Sequence, residues 1–134
     1  MPPEAELPAL VFGDLEPGRT FRPLKLEVTL EMLTAYSDVV GVDPLYSRYV
    51  PPGFAGVIGR WAYLQDHSMP GGGVLLGQSF RWMRPAEVGR PLEATAVVTD
   101  RREANGRRSV TFETTIEQDG KYVARVQIVA GWPT

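Results

Sequence analysis

The chain of 134 residues has the size of one domain, and its content of 43% hydrophobic and 22% charged residues is ordinary for a globular protein. Its formal net charge of −2 creates no field that would attract nucleic acid or an anionic membrane. Cysteine is absent, which excludes disulfides, thiolate metal sites and a cysteine nucleophile. The apolar runs are far shorter than the ~18 residues of a membrane span, so we expect a cytoplasmic protein. Four nearby arginines are interpreted as a solvated hairpin end: Arg101, Arg102, Arg107 and Arg108.

The first half of the chain predicts an arm, a strand and two helices. Residues 1–10 contain three prolines and are expected to form a loose or extended arm, followed by a strand over residues 20–28 with apolar side chains near period two. Thr29 is suited to cap a helix that ends at Gly41. A second helix is expected from about Phe54 to His67, and it is apolar on most sides, as in a helix surrounded by protein.

The second half predicts a meander of four antiparallel strands. Apolar and polar residues alternate over residues 74–83, 92–103, 108–118 and 121–132. The dipeptides Asn105-Gly106 and Asp119-Gly120 accept positive φ at both turn centres and predict two tight hairpins. In the last strand, the alternation places Tyr122 on the same face as Ala124, Val126 and Ile128.

An apolar sheet face needs a covering element, and the second helix is the only one apolar enough to cover these strands. No repeat or linker interrupts the chain. The sequence therefore predicts an α+β fold with a single domain over residues 1–134, in which a curled antiparallel sheet wraps around a central helix.

Three motifs occur in order around the two helices. The loop Asp43-Pro44-Leu45-Tyr46 is followed by Pro51-Pro52-Gly53-Phe54-Ala55 and then by an aromatic, proline, glycine and leucine pattern from Phe80 to Leu92. In this order they resemble the MaoC-like hot-dog family of dehydratases and hydratases. The first two motifs are similar to the Asp-Pro-x-Tyr loop and the Pro-Pro-Thr-Phe helix start of the family's N-terminal-type domain, the type found in non-catalytic subunits. The resemblance implies a single hot-dog domain that handles an acyl thioester as a dimer.

The loop before the second helix departs from the pattern of the catalytic members. Those members carry Gly-Asp-x-Asn-Pro-x-His, and the resemblance implies that its Asp and His move protons at an enoyl thioester. Here the stretch from Gly41 to Tyr46 is one residue shorter, with Val42 where the Asp is expected and Tyr46 where the His is expected. This departure is typical of the N-terminal-type domain, which pairs with a catalytic domain and shapes the acyl pocket.

Three residues are candidates for catalysis by this chain itself. Asp43 is either a general base in place of the missing aspartate or a turn-forming residue before proline. Tyr46 can donate a hydrogen bond to a thioester carbonyl or to a partner loop, but with an ordinary pKa of about 10 it is a poor base. His67 is the only histidine. It either works with the neighbouring Asp66 or is favoured by the helix dipole alone.

The second helix holds the expected substrate-binding residues. Gly56 and Gly59 are expected at its start, where the first amides of a helix lack partners and can meet a thioester oxygen. Arg60 either meets a phosphate of coenzyme A or of a phosphopantetheine arm, or pairs with an acid across a dimer. Trp61 completes the set. No metal site is expected, because one histidine and scattered carboxylates do not make one.

Three hypotheses about function follow. The first is an acyl-thioester-binding hot-dog subunit that pairs with a catalytic MaoC-like partner to form an enoyl-CoA or enoyl-ACP hydratase or dehydratase. The second is a homodimeric hydratase or dehydratase, (R)-specific by the resemblance, that uses Asp43, Tyr46 or His67. The third is a binding domain without chemistry. No cofactor is expected in any of them, except that coenzyme A or phosphopantetheine is part of the substrate.

Overall fold

The computed structural model describes residues 7–41 and 48–133, which form five strands and two α-helices after a short 3₁₀ turn at Phe12–Asp14. The first part contains β1 (Leu24–Glu27) and α1 (Leu30–Val40), and α2 (Phe54–Tyr63) follows. The remaining strands are β2 (Val74–Trp82), β3 (Pro91–Ala104), β4 (Arg107–Gln118) and β5 (Lys121–Trp132).

All five strands belong to one antiparallel sheet with the order β1-β3-β4-β5-β2, so β2 lies at an edge. The hairpins β3-β4 and β4-β5 turn at the two dipeptides predicted from the sequence. Asn105 and Asp119 both have φ of 54°, and the glycine after each has φ of 73°. Both predicted hairpins are confirmed.

The helix α2 covers the concave face of the sheet, as predicted. Ile58 and Ala62 are almost fully buried. The ring of Tyr63 stacks on Phe112 in β4, with centroids 3.9 Å apart and an angle of 8° between the planes. Each large apolar side chain buried in this way contributes about 1.5–3 kcal/mol to folding. The position of α2 is therefore fixed by the core of the sheet.

The helix α1 begins and ends at the predicted residues. The hydroxyl oxygen of Thr29 accepts a hydrogen bond from the amide of Met32 at 3.1 Å. Gly41 follows the last turn with φ of 79°, a left-handed conformation that glycine adopts without a steric penalty. Leu33 faces the core, where it is 1% exposed.

The prediction that the second helix reaches His67 was wrong, because α2 ends at Tyr63. Tertiary contacts end it. The side-chain amide of Gln65 donates to the carbonyls of Ala62 and of Arg22, at 3.2 and 2.6 Å. Asp66 forms a two-point ion pair with the guanidinium of Arg22, at 2.9 and 3.1 Å. These contacts hold the chain against the segment before β1 instead of in a further helical turn.

The amino-terminal region is held more firmly than a loose arm would be, and its strand is shorter than predicted. Residues 7–10 of the expected loose arm are held by Ser68, whose amide donates to Pro8 at 3.0 Å and whose carbonyl accepts from Leu10 at 2.9 Å. The strand predicted over residues 20–28 is reduced to β1, because Pro23 has no amide hydrogen for the ladder. Residues 1–6 lie outside the described part of the chain.

One prediction about a strand face was wrong. The register between β4 and β5 shifts between Ile116 and Glu117, and this irregularity moves Tyr122 away from the core face. Its hydroxyl group lies 3.1 Å from that of Thr115, on the outer face. Val123 is buried next to Ala124, which a strict alternation does not allow.

Candidate functional site

The turn before α2 consists of Pro51, Pro52 and Gly53. The amides of the first three helical residues, Phe54 to Gly56, each donate to the carbonyl three residues earlier, at 3.0, 3.2 and 3.2 Å. These amides are therefore not vacant donors, as the first amides of a helix often are. A ligand carbonyl at this point would have to share them.

Two side chains pack on glycines at this helix start. A Cβ atom on Gly56 would overlap the side-chain amide of Gln78 in β2, and a Cβ atom on Gly53 would overlap the hydroxyl group of Tyr36 in α1. The Tyr36 ring also meets Phe54 edge to face, with centroids 5.2 Å apart. Glycine at both positions allows α1 and β2 to approach the backbone of α2 closely.

A cavity of about 180 Å³, which we call the edge-strand cleft, lies between α2 and β2. Its lining includes the apolar side chains of Leu75 and Ile128 and also the chain at Val74. The polar side chains in its lining are those of Arg60, Tyr63 and Gln78. Because β2 is the last strand of the sheet, the cleft lies at the sheet edge, where a second protein can reach it.

A second cavity of about 420 Å³, the helix-start cleft, lies beside the turn before α2. Its lining includes Tyr49, Pro52, Trp82, Met83 and Arg84. The indole N–H of Trp82 donates to the carbonyl of Pro52 at 3.0 Å, which ties the end of β2 to the turn.

The segment around Glu87 forms a fixed support beside the helix-start cleft. Buried Gln118 holds it, because its side-chain oxygen accepts from the amide of Glu87 at 2.8 Å and its NH₂ group donates to the carbonyl of Glu87 at 3.0 Å. The hydrogen bond from the Arg90 guanidinium lowers the pKa of the Glu87 carboxyl below its ordinary value of 4.5. Arg48 lies 3.6 Å from the same carboxyl, and residue 49 forms a β-bridge to residue 87.

The structure separates the four predicted binding residues on α2. Gly56 is the third residue of the helix, but Gly59 is the sixth, so the expectation that Gly59 lies in the first turn was wrong. A Cβ atom on Gly59 would lie 3.0 Å from Val126 and 3.4 Å from Ile128, so this residue faces the sheet. Arg60 lines the edge-strand cleft. Trp61 is half buried and packs edge to face on Phe54, at 5.8 Å.

His67 lies beyond the end of α2 and does not bind Asp66, which is paired with Arg22. Its ring meets Phe21 edge to face at 6.3 Å. Its Nδ1 is buried without a hydrogen-bond partner in the described part of the chain. The lining of the two clefts does not include His67. The other two catalytic candidates, Asp43 and Tyr46, lie outside the described residues.

The sequence interpretation missed Gln78 and Trp82. Both occupy β2 positions that face core residues of β5, with Gln78 opposite Ile128 and Trp82 opposite Ala124. The signal was a glutamine in phase with Phe80 and Trp82, a polar residue on a strand face whose next members are aromatic.

No helix in the described ranges is long and apolar enough to cross a membrane. The same ranges contain no group of three or more histidine, aspartate or glutamate side chains that could hold a metal ion.

Neither protein-family models nor curated proteins match the sequence. Solved structures do match the fold. The (R)-hydratase PhaJ1 from Pseudomonas aeruginosa is 21% identical, with a TM-score of 0.71 over 91% of this chain and 84% of that one. The HadBC (3R-hydroxyacyl-ACP dehydratase) complex from Mycobacterium tuberculosis is 19% identical, with a TM-score of 0.72 over 88% of this chain and 97% of that one. The ChsH1-ChsH2 complex from the same organism is 14% identical, with a TM-score of 0.62 over 84% of this chain and 83% of that one.

At these identities the similarity shows a shared fold. The sheet that curls around α2 is thus a hot-dog domain, as the sequence predicted.

Proposed function

We propose that this chain is an acyl-thioester-binding hot-dog subunit of the N-terminal type, which forms the substrate pocket of an enoyl-thioester hydratase or dehydratase. The edge-strand cleft carries the proposal. It is mainly apolar, lies against the central helix and contains the polar side chains of Arg60, Tyr63 and Gln78. This combination suits an acyl chain that ends in one polar group.

Gln78 is the proposed partner of the thioester carbonyl. Its side-chain amide packs against Gly56, and its NH₂ group can donate a hydrogen bond into the cleft. The acyl chain would then lie along Leu75 and Ile128. This arrangement replaces the expectation that the amide of Gly59 binds the carbonyl, because an amide at the sixth helical position bonds within the helix.

The proposed partner is a second hot-dog chain that carries the Asp/His dyad. The edge strand β2 exposes Val74, Leu75 and Leu76 by 56–63%, and an unpaired apolar edge is normally covered by another chain. The HadBC and ChsH1-ChsH2 structures, which share the fold, are both complexes. A partner at β2 would also close the edge-strand cleft.

The division of labour follows from the side chains in the clefts. Water addition to an enoyl thioester needs one group that takes a proton from water and one that delivers a proton to Cα. The described lining of the two clefts offers guanidinium, amide, indole, phenol and apolar groups, none of which is a base at neutral pH. We therefore assign proton transfer to the partner, and binding and orientation of the acyl thioester to this chain.

Hydration of crotonyl and longer enoyl thioesters tests the proposal, with this chain alone and with the product of the neighbouring gene. We expect no turnover by this chain alone and turnover by the pair. The variant Gln78→Leu in the pair should raise KM. Turnover by this chain alone that is lost in Asp43→Asn would instead establish the homodimeric enzyme, and acyl-thioester binding without turnover in any combination would establish a binding domain.

A further inference from the structure

The outer face of the sheet has two arginines in direct opposition. Arg81 in β2 pairs with Arg125 in β5 in the antiparallel register, and this places both side chains on the same face. Like charges directly opposite each other destabilise a sheet. An anion bound between the two guanidinium groups would remove that repulsion.

These two arginines line a cavity of about 450 Å³ together with Arg84, Met83 and Tyr122. Arg125 is partly neutralised by Glu113, at 3.3 Å. Within residues 7–41 and 48–133, no carboxylate pairs with Arg81 or Arg84. Three arginines and one glutamate leave a net charge of +2, which calls for a ligand with more than one negative charge.

The wall of this cavity is fixed by the irregularity in β5. The shift that removes Tyr122 from the core brings its hydroxyl group to 3.1 Å from Thr115 and 3.2 Å from the guanidinium of Arg125. The hydrogen bond with Thr115, followed by that with Arg125, lowers the pKa of Tyr122. Arg125 is thus held between Tyr122 and Glu113, so that its orientation is set before any ligand binds.

The cavity adjoins the helix-start cleft, because Met83 and Arg84 line both. We propose that the outer-face cavity binds the phosphate groups of the thioester's carrier, with Arg81 and Arg84 as the main ligands and Arg125 as the fixed third cation. Guanidinium groups match phosphate oxygens with paired hydrogen bonds, and a phosphate ester or diphosphate supplies the required charge. The inference rests on the proposed function for the identity of the ligand. The charge arrangement itself does not depend on it.

Calorimetric titration with coenzyme A, 4′-phosphopantetheine and inorganic pyrophosphate tests the site, in the presence of the partner chain if the pair forms. The variant Arg81→Gln/Arg84→Gln should weaken the binding of all three by at least about tenfold, because charge-assisted hydrogen bonds are lost. The matched control Arg102→Gln/Arg107→Gln removes the same charge at the Asn105-Gly106 hairpin, and should retain wild-type affinity within about twofold at 0.15 M salt, where distant charges are screened.

Tighter binding of coenzyme A than of 4′-phosphopantetheine would identify free coenzyme A as the carrier, and equal binding would identify the arm of a carrier protein. Equal affinity of wild type and Arg81→Gln/Arg84→Gln would overturn the inference. So would an equal loss in the hairpin control, since it would show a general field and not a site. If phosphate compounds bind as expected but an acyl group adds no affinity to coenzyme A, the proposed function fails while the phosphate site stands.

Discussion

The side-chain amide of Gln78 lies against the backbone of Gly56, in the space that a Cβ atom would occupy. This contact joins the edge strand to the first turn of the central helix. A methyl group added at Gly56 would displace only the end of the flexible Gln78 side chain. We therefore expect such a change to affect acyl-thioester binding and the stability of the fold differently.

For Gly56→Ala we expect unchanged or slightly increased stability, since alanine in a helix is favoured over glycine by about 0.5–1 kcal/mol. The same change should push Gln78 out of place and weaken acyl-thioester binding by about three- to tenfold, the equivalent of one hydrogen bond. Urea unfolding and calorimetric titration measure the two effects. A loss of stability with unchanged binding would show that Gln78 is a structural residue.

Gly59→Ala should have the opposite pattern. The Cβ atom of the alanine would lie 3.0 Å from Val126, in the packed interface between α2 and β5. Overpacking there costs about 1–3 kcal/mol of stability. This cost exceeds the gain in helix propensity of about 0.5–1 kcal/mol when alanine replaces glycine. We expect a net loss of about 1 kcal/mol in urea unfolding, with Gly56→Ala as the matched control. Equal stability of the two variants would contradict the packing found for α2. Gly59→Pro should disrupt the fold, because proline at the sixth helical position removes an internal hydrogen bond.

The ion pair between Arg22 and Asp66 should make stability depend on pH in the acid range. The hydrogen bond from Arg22 lowers the pKa of Asp66 below its ordinary value of 3.8. A carboxyl with a depressed pKa stabilises the folded state above the pKa of the unfolded chain, and that contribution is lost as pH falls through the lower folded value.

Asp66→Asn should therefore be less stable than wild type at pH 5 to 7, and the difference should shrink below about pH 4. Because the pair is exposed, the effect should be small. Urea unfolding at a series of pH values measures it, and Arg22→Gln should behave in the same way. A difference that grows on acidification would contradict the assignment.

The apolar edge of β2 predicts an interface. Leu76→Lys introduces a charge at an exposed position of the edge strand and should shift the assembly towards monomer in light scattering at micromolar concentration. The matched control is Val39→Lys on α1, which at 84% is the most exposed large apolar residue in the described part of the chain, and it should leave the assembly unchanged. If the wild-type chain forms neither a dimer by itself nor a complex with its partner, the proposed interface at β2 is contradicted.

The sequence predicted those parts of the fold that depend on local patterns. Asn105-Gly106 and Asp119-Gly120 determine the hairpins through their own backbone preferences, and Thr29 and Gly41 determine the ends of α1. The end of α2 was missed because Gln65 and Asp66 bind residues near β1, a contact between distant parts of the chain.

The site was harder to predict than the fold. The motif that resembles the hot-dog family predicts a site at the loop before α2 and at the glycines within α2. Gln78 was missed because its role arises only when the last strand of the sheet packs on Gly56, which period-two alternation does not reveal.

The most direct test of the central claim compares two crotonyl-coenzyme A analogues in calorimetric titration of the paired subunits. A ketone analogue, with CH₂ in place of sulfur, keeps the carbonyl, and a thioether analogue lacks it. We predict that wild type binds the ketone about three- to tenfold more tightly than the thioether, and that Gln78→Leu binds both equally. The difference between the two affinity ratios then measures the hydrogen bond between Gln78 and the ligand carbonyl. An equal preference for the ketone in wild type and Gln78→Leu, or no binding of either analogue, would contradict the proposed thioester site.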